Sequence, residues 1–197
     1  MKTKFTITLL LVCSLTFINC SIDTQDEIIG ETAGRFVVTN EGCEGTEILK
    51  AGQNYDCGTV KSEIIFTLIN GVNTMTHMQI TYSTNSGWEI TKTHLFIGKF
   101  DDIPTNHPGN PRVGQFPYKS NEIAGTTEVI WTIPIDDFEL YGSTSGHVAA
   151  HADVSLFENG NLIQSETAWG NGDPLPGNSW AMAFDFDLAV LAAGCGN

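Results

Sequence analysis

Apolar and polar residues alternate with a period of two along most of this chain, and Asn, Gly and Pro interrupt the pattern at short intervals. Side chains two apart share a face only on a strand, so the pattern calls for half-buried strands. No stretch sustains a helical period. Strands are expected at residues 34–39, 46–51, 60–69, 74–83, 88–98, 126–135, 147–157 and 162–167. Asn70-Gly71 and Asn159-Gly160 mark hairpin turns, because both central residues of such turns need positive φ. In 147–157 the faces separate cleanly: Val148, Ala150, Ala152, Val154 and Leu156 point inward, and His147, Ala149, His151, Asp153 and Ser155 point outward. In 88–98 they do not, since Trp88, Ile90, Lys92, His94 and Phe96 alternate with Glu89, Thr91, Thr93, Leu95 and Ile97.

Residues 99–120 carry Pro104, Pro108, Pro111 and Pro117. Proline at that density prevents a continuous strand or helix, and a loop this long is usually functional or disordered. Phe100, Phe116 and Tyr118 argue that it packs down. Residues 170–179 form a second Gly/Pro/Asn loop, followed by an expected inward stripe of Trp180, Met182, Phe184 and Phe186. The last residues fit a final strand or a stapled tail. Roughly eight to ten short strands at regular spacing predict an all-β fold, an antiparallel β-sandwich.

The 197 residues suit one domain plus processing segments. Residues 1–19 read as a signal peptide. Lys2 and Lys4 supply the charged start, and the apolar run from Ile7 to Ile18 is too short to span a bilayer. Thr16-Phe17-Ile18-Asn19-Cys20 resembles the lipobox of a bacterial lipoprotein, with Cys20 as the lipid-modified residue. Ordinary cleavage nearby would leave Cys20 a plain cysteine. Residues 20–34 read as a lipid-anchored acidic tether, and 35–197 as the β domain. The acidic run after Cys20 resembles the signal that sends some Bacteroidetes-type lipoproteins to the outer face of the outer membrane. The expected place is therefore the outer membrane, facing the periplasm or the cell surface.

Removing residues 1–19 takes two of the 9 basic residues and none of the 23 acidic ones, moving the formal charge from −14 to −16. Such a surface repels nucleic acid, which needs clustered Lys and Arg. Cys43, Cys57 and Cys195 remain in the domain. An exported chain meets an oxidising compartment, so one disulfide is expected, with three pairings open.

The segments ILKAGQ, CGTV, STNSGWEITKTHLFIG, DDIP, GNPRVGQFPY, TIPI, HVAAHADV, ETAWGNG and NSWAMAFDF occur in that order over about residues 46–187. Together they resemble a family of exported, surface-attached bacterial β-rich domains of uncharacterised function. The resemblance implies an extracellular β domain tethered to a cell surface, and no reaction.

His151 and Asp153 form an HxD pair on one strand face, with His147 four residues before. Residues two apart on a strand can share a metal ion, and His94 or Glu166 would supply a third ligand. The candidate metal set is His94, His151 and Asp153, set against an ordinary polar face. Asp101, Asp102 and Asn106 in one loop, and Asn171 and Asp173 in the other, suit Ca²⁺ by oxygen content, although turn chemistry explains the same residues. Trp169 before Gly170-Asn171-Gly172 is a candidate ring for stacking on sugar, or a plug for the end of the domain. The candidate ligand-binding residues are thus Trp169, His151, Asp153, His94, Tyr118 and Asp102. There is no GxSxG elbow, no Cys-His signature and no phosphate loop, so no catalytic residue is assigned. The expected function is a lipid-anchored binding or adhesion module for a glycan or partner protein. Its rivals are a metal-dependent polysaccharide hydrolase or lyase and a purely structural surface protein.

Overall fold

A computed structural model describes residues 43–138 and 140–195. The signal peptide, Cys20, the tether and the candidate strand at 34–39 lie outside the described residues. The strands are β1 (Glu44–Ala51), β2 (Tyr55–Ile69), β3 (Val72–Thr84), β4 (Trp88–Gly98), β5 (Tyr118–Asn121), β6 (Glu128–Pro134), β7 (Ser145–Glu158), β8 (Asn161–Gly170), β9 (Asp173–Pro174) and β10 (Met182–Asp187). A short helix, α1 (Leu188–Ala193), follows β10 directly.

The fold is all-β and every strand pair is antiparallel, as the alternation predicts. The strands run in the order β5-β4-β7-β8-β1-β2-β3-β6. β10 continues the lane of β8, pairing with β7 at Val148 and below, and β9 pairs with β10. Layering comes from one sheet that curls over. Its two ends meet where the Trp131 indole N–H of β6 donates to Thr93 Oγ1 of β4 at 3.2 Å and the Trp131 ring lies 6.0 Å from that of Tyr118. Asn70 and Gly71 have φ of 51° and 81°, and Asn159 and Gly160 have 52° and 78°. Both Asn-Gly hairpins therefore form as their sequences predict.

The interior is filled by Leu49, Val60, Ile64, Met78, Ile80, Tyr82, Ile90, Leu95, Val148 and Val154, each fully buried. At about 25 cal/mol per Å² of apolar surface, each aliphatic member contributes roughly 1.5–3 kcal/mol. The indistinct faces of β4 have a cause. Its register against β7 shifts between Ile90 and Lys92, leaving Thr91 as a bulge. Trp88 and Ile90 point inward before the bulge, and Thr93, Leu95 and Ile97 after it. The extra residue thereby turns Lys92, His94 and Phe96 outward.

A second cluster lies on the outer face of β4, β7 and β8: Phe96, Ile103, Phe116, Ala149, Trp169, Leu175, Ala181 and Ala183. The two long loops cover it. The Asn110 side-chain oxygen joins them, accepting from the backbone N–H groups of Asn178 at 2.7 Å and Ser179 at 2.9 Å. The expected stripe of Trp180, Met182, Phe184 and Phe186 is divided between clusters. Phe184 and Phe186 enter the main core, while Trp180 and Met182 pack on the outer cluster. Ala181 and Ala183, expected outward, are buried because the loop closes over them.

The tail is a stapled helix. Asp187 caps it, its carboxylate accepting from Ala189 N–H at 2.8 Å and Val190 N–H at 3.3 Å. A disulfide joins Cys195 to Cys43, 152 residues apart, with the Cα atoms 4.8 Å from each other. Cys57 is the buried free thiol, donating to the Leu49 carbonyl at 3.2 Å. Among the described residues no helix is long and apolar enough to cross a membrane.

Candidate functional site

Strand register brings the sequence candidates into two rows on the outer face. One row reads Asn121, Lys92, Asp153 and Thr167 across β5, β4, β7 and β8, and the next reads Lys119, His94, His151 and Trp169. The Thr91 bulge makes this possible, because without it His94 would point into the core.

His94 and His151 meet Nδ1 to Nδ1 at 3.3 Å, with ring centroids 5.3 Å apart. The other edge of His151 faces Asp153, with Nε2 3.9 Å from Oδ1. Asp153 lies 3.6 Å from the Lys92 ammonium. Trp169 closes the floor, edge-on to His151 at 4.8 Å and to Phe116 at 6.4 Å. His151 is buried, while His94 and Asp153 are half-buried and Lys92 is exposed.

Burial holds the His151 imidazole down at about 4; Asp153 pulls the value up, and the neighbouring His94 and Lys92 push it lower. His94 is also lowered, by burial first, with Asp153 opposing and Lys92 and Lys119 adding to the effect. Both rings are therefore neutral at pH 7. One Nδ1 must then donate and the other accept. The Asp153 carboxylate favours the His151 proton on Nε2, so His94 donates from Nδ1 and keeps a lone pair on Nε2.

The other candidates lie elsewhere or are closed off. Asp153 approaches His151 from the ring edge opposite His94, so the three do not converge on one point. Glu166 sits on the alternate face of β8, opposite Val154, with its carboxylate against Gly52. Among the described residues, no group of three or more His, Cys, Asp or Glu side chains is arranged to hold a metal ion. Trp169 is 5% exposed and offers no free ring face for a sugar. Tyr118 pairs with inward-facing Leu95 and packs on Trp131, away from the histidines. Asp102 stays exposed in a 3₁₀ turn, Phe100–Asp102. Asn106 spends its side-chain oxygen on the Asn110 amide at 3.0 Å.

The sequence reading missed a second surface. On the outer face of β1, β2, β3 and β6 lies a shallow groove of about 380 Å³. Thr46, Lys61, Thr81 and Ile130 form one row across it, and Ile48, Thr59, Ser83 and Glu128 the next. Gln79 borders it. Alternation signalled only that these residues face outward; their assembly depends on pairing between distant strands.

No family model, no curated protein and no solved structure matches this chain.

Proposed function

We propose that this chain is an exported, lipid-anchored binding module that holds a glycan in the groove of β1, β2, β3 and β6. The groove carries the reading. It sets hydroxyl groups of Thr46, Thr59 and Ser83 and the Gln79 amide beside the half-exposed Ile130 side chain, over a floor that includes buried Thr81 and the Lys61 ammonium held by Glu44 at 3.0 Å and Glu63 at 3.2 Å. Hydroxyls and amides match the hydrogen-bonding edge of a sugar, and an aliphatic side chain matches its C–H face. The regular sheet beneath fixes their spacing. Burial of Trp169 removes the stacking platform expected at the loop end, which leaves the groove as the better hydrogen-bonding surface.

Three features support export and anchoring: the charged and apolar start of the chain, Cys20 after its lipobox-like run, and the Cys43–Cys195 disulfide, which suits an oxidising compartment. The resemblance to surface-attached bacterial β domains supports the same place.

A broad glycan array and a pull-down from outer-envelope extract test the binding. Retention of a glycan series by the soluble chain is expected. Retention of a protein alone would transfer the role to a protein partner, and silence in both would refute the binding reading. Anchoring is tested separately. The Cys20→Ala chain is expected in the soluble fraction, and its persistence in membranes would refute lipidation.

A further inference from the structure

The His94–His151 pair takes no part in the glycan groove, which lies on the other half of the curled sheet. We propose that these two histidines bind one divalent transition-metal ion, Zn²⁺ or Cu²⁺, through their Nδ1 atoms, with Asp153 orienting His151 from behind.

The argument is geometric. Two nitrogens bonded to a tetrahedral ion at about 2.0–2.1 Å stand roughly 3.3–3.4 Å apart, and their ring centroids roughly 5.1–5.3 Å apart. The observed values are 3.3 Å between Nδ1 atoms and 5.3 Å between centroids. Backbone pairing of β4 with β7 places the two residues directly opposite each other, so the span is set by the sheet. Metal-bound histidines commonly turn their other ring nitrogen toward a carboxylate, which fixes the tautomer. Asp153 stands on that side of His151, its Oδ1 3.9 Å from Nε2, an electrostatic contact longer than a hydrogen bond. Asp153 is thus a positioning residue, whereas the HxD spacing alone suggested a ligand. Imidazole pairs favour Cu²⁺ and Zn²⁺ over the harder ions.

Binding rearranges one proton. In the free pair His94 carries it on Nδ1. To present two Nδ1 lone pairs, His94 moves it to Nε2, while His151 keeps its own on Nε2 toward Asp153. No net proton is released at neutral pH. Lys92 and Lys119 near His94 oppose a cation, and Asp153 offsets Lys92 at 3.6 Å. Two protein ligands leave two positions for water or another donor. The ion site stands or falls apart from the glycan reading.

The test loads the EDTA-stripped full-length chain with Zn²⁺ and, separately, Cu²⁺. Bound metal is counted by plasma mass spectrometry after desalting, and melting temperature is recorded with and without the ion. One ion per chain and a raised melting temperature are expected. His94→Gln should weaken binding more than tenfold, and Asp153→Asn about tenfold. His107→Gln, an exposed histidine in the long loop, should leave binding unchanged. Should His94→Gln not fold, ¹⁵N imidazole spectra of the wild-type chain decide. Zn²⁺-dependent shifts of the Nδ1 resonances of His94 and His151 support the site. Uptake equal in wild type and His94→Gln, or shifts confined to other histidines, overturns it.

Discussion

His151 lies beneath His94 with their Nδ1 atoms 3.3 Å apart, and burial keeps its imidazole neutral down to about pH 4. The unfolded chain protonates the same residue near pH 6.5. Between those values the unfolded state holds the extra proton, so the sign is fixed: stability is full above pH 6.5 and declines as pH falls toward 4. At roughly 1.4 kcal/mol per pH unit the full loss is on the order of 3 kcal/mol. Urea unfolding at pH 7 and pH 4.5 measures it. His151→Leu is expected to flatten this slope, and an unchanged slope would assign the pH dependence to other groups.

The disulfide and the buried thiol give opposite reactivities. Burial pushes the Cys57 thiol up to about 12, so it should resist thiol reagents in the folded protein. In a chain with Cys13→Ser and Cys20→Ser, Ellman's reagent should find no thiol when native and one when denatured. Two or more on denaturation would contradict the Cys43–Cys195 bond.

Reducing that bond frees a closed loop of 152 residues. Loop entropy alone suggests a loss of about 4–5 kcal/mol, near the upper end for single disulfides. The double variant Cys43→Ser/Cys195→Ser should show it as a lower urea midpoint with the slope little changed. A stability loss under about 1 kcal/mol, taken as the midpoint shift multiplied by the slope, would place the C-terminal helix among parts the fold does not need.

Asn110 carries two backbone amides on one oxygen. Asn110→Ala leaves the Asn178 and Ser179 N–H groups without that acceptor, at about 1–3 kcal/mol. Amide exchange should accelerate in both long loops together, with β7 and β8 unchanged. Asn110→Asp, which keeps an acceptor, should restore much of the protection.

Gly58 and Gly114 should respond in opposite ways to alanine. A Cβ on Gly58 would stand 2.0 Å from the Ser83 carbonyl oxygen of the neighbouring strand, whereas a Cβ on Gly114 meets nothing within 4 Å. Gly58→Ala is expected to cost about 3 kcal/mol or more by forcing β2 and β3 apart, and Gly114→Ala to lie within about 0.5 kcal/mol. Thermal melts of the two variants check both values.

The alternation in residues 147–157 gave the two faces of β7 correctly, and both Asn-Gly pairs gave their turns. What stayed hidden was non-local. Whether strands close into two sheets or curl as one depends on pairings such as β10 with β7, which alternation does not encode. The Thr91 bulge adds one residue to a regular pattern, so β4 reads as faceless until its partner is known. His151 faces outward as expected, yet it is buried against the His94 and Trp169 rings of the two neighbouring strands. The six-residue helix after Asp187 is too short to show a helical period, although Asp187 is a good cap. Proximity of His94 to His151 required pairing across 57 positions of sequence.

The central claim is that the groove of β1, β2, β3 and β6 binds a glycan. The most direct measurement is calorimetric titration of the strongest array glycan into the wild-type chain and into Thr59→Ala/Gln79→Ala/Ser83→Ala. These side chains are partly exposed in the groove, so the variant should keep the wild-type melting temperature within a few degrees. The account predicts at least tenfold weaker binding in the variant, and equal affinity in the two proteins would contradict it.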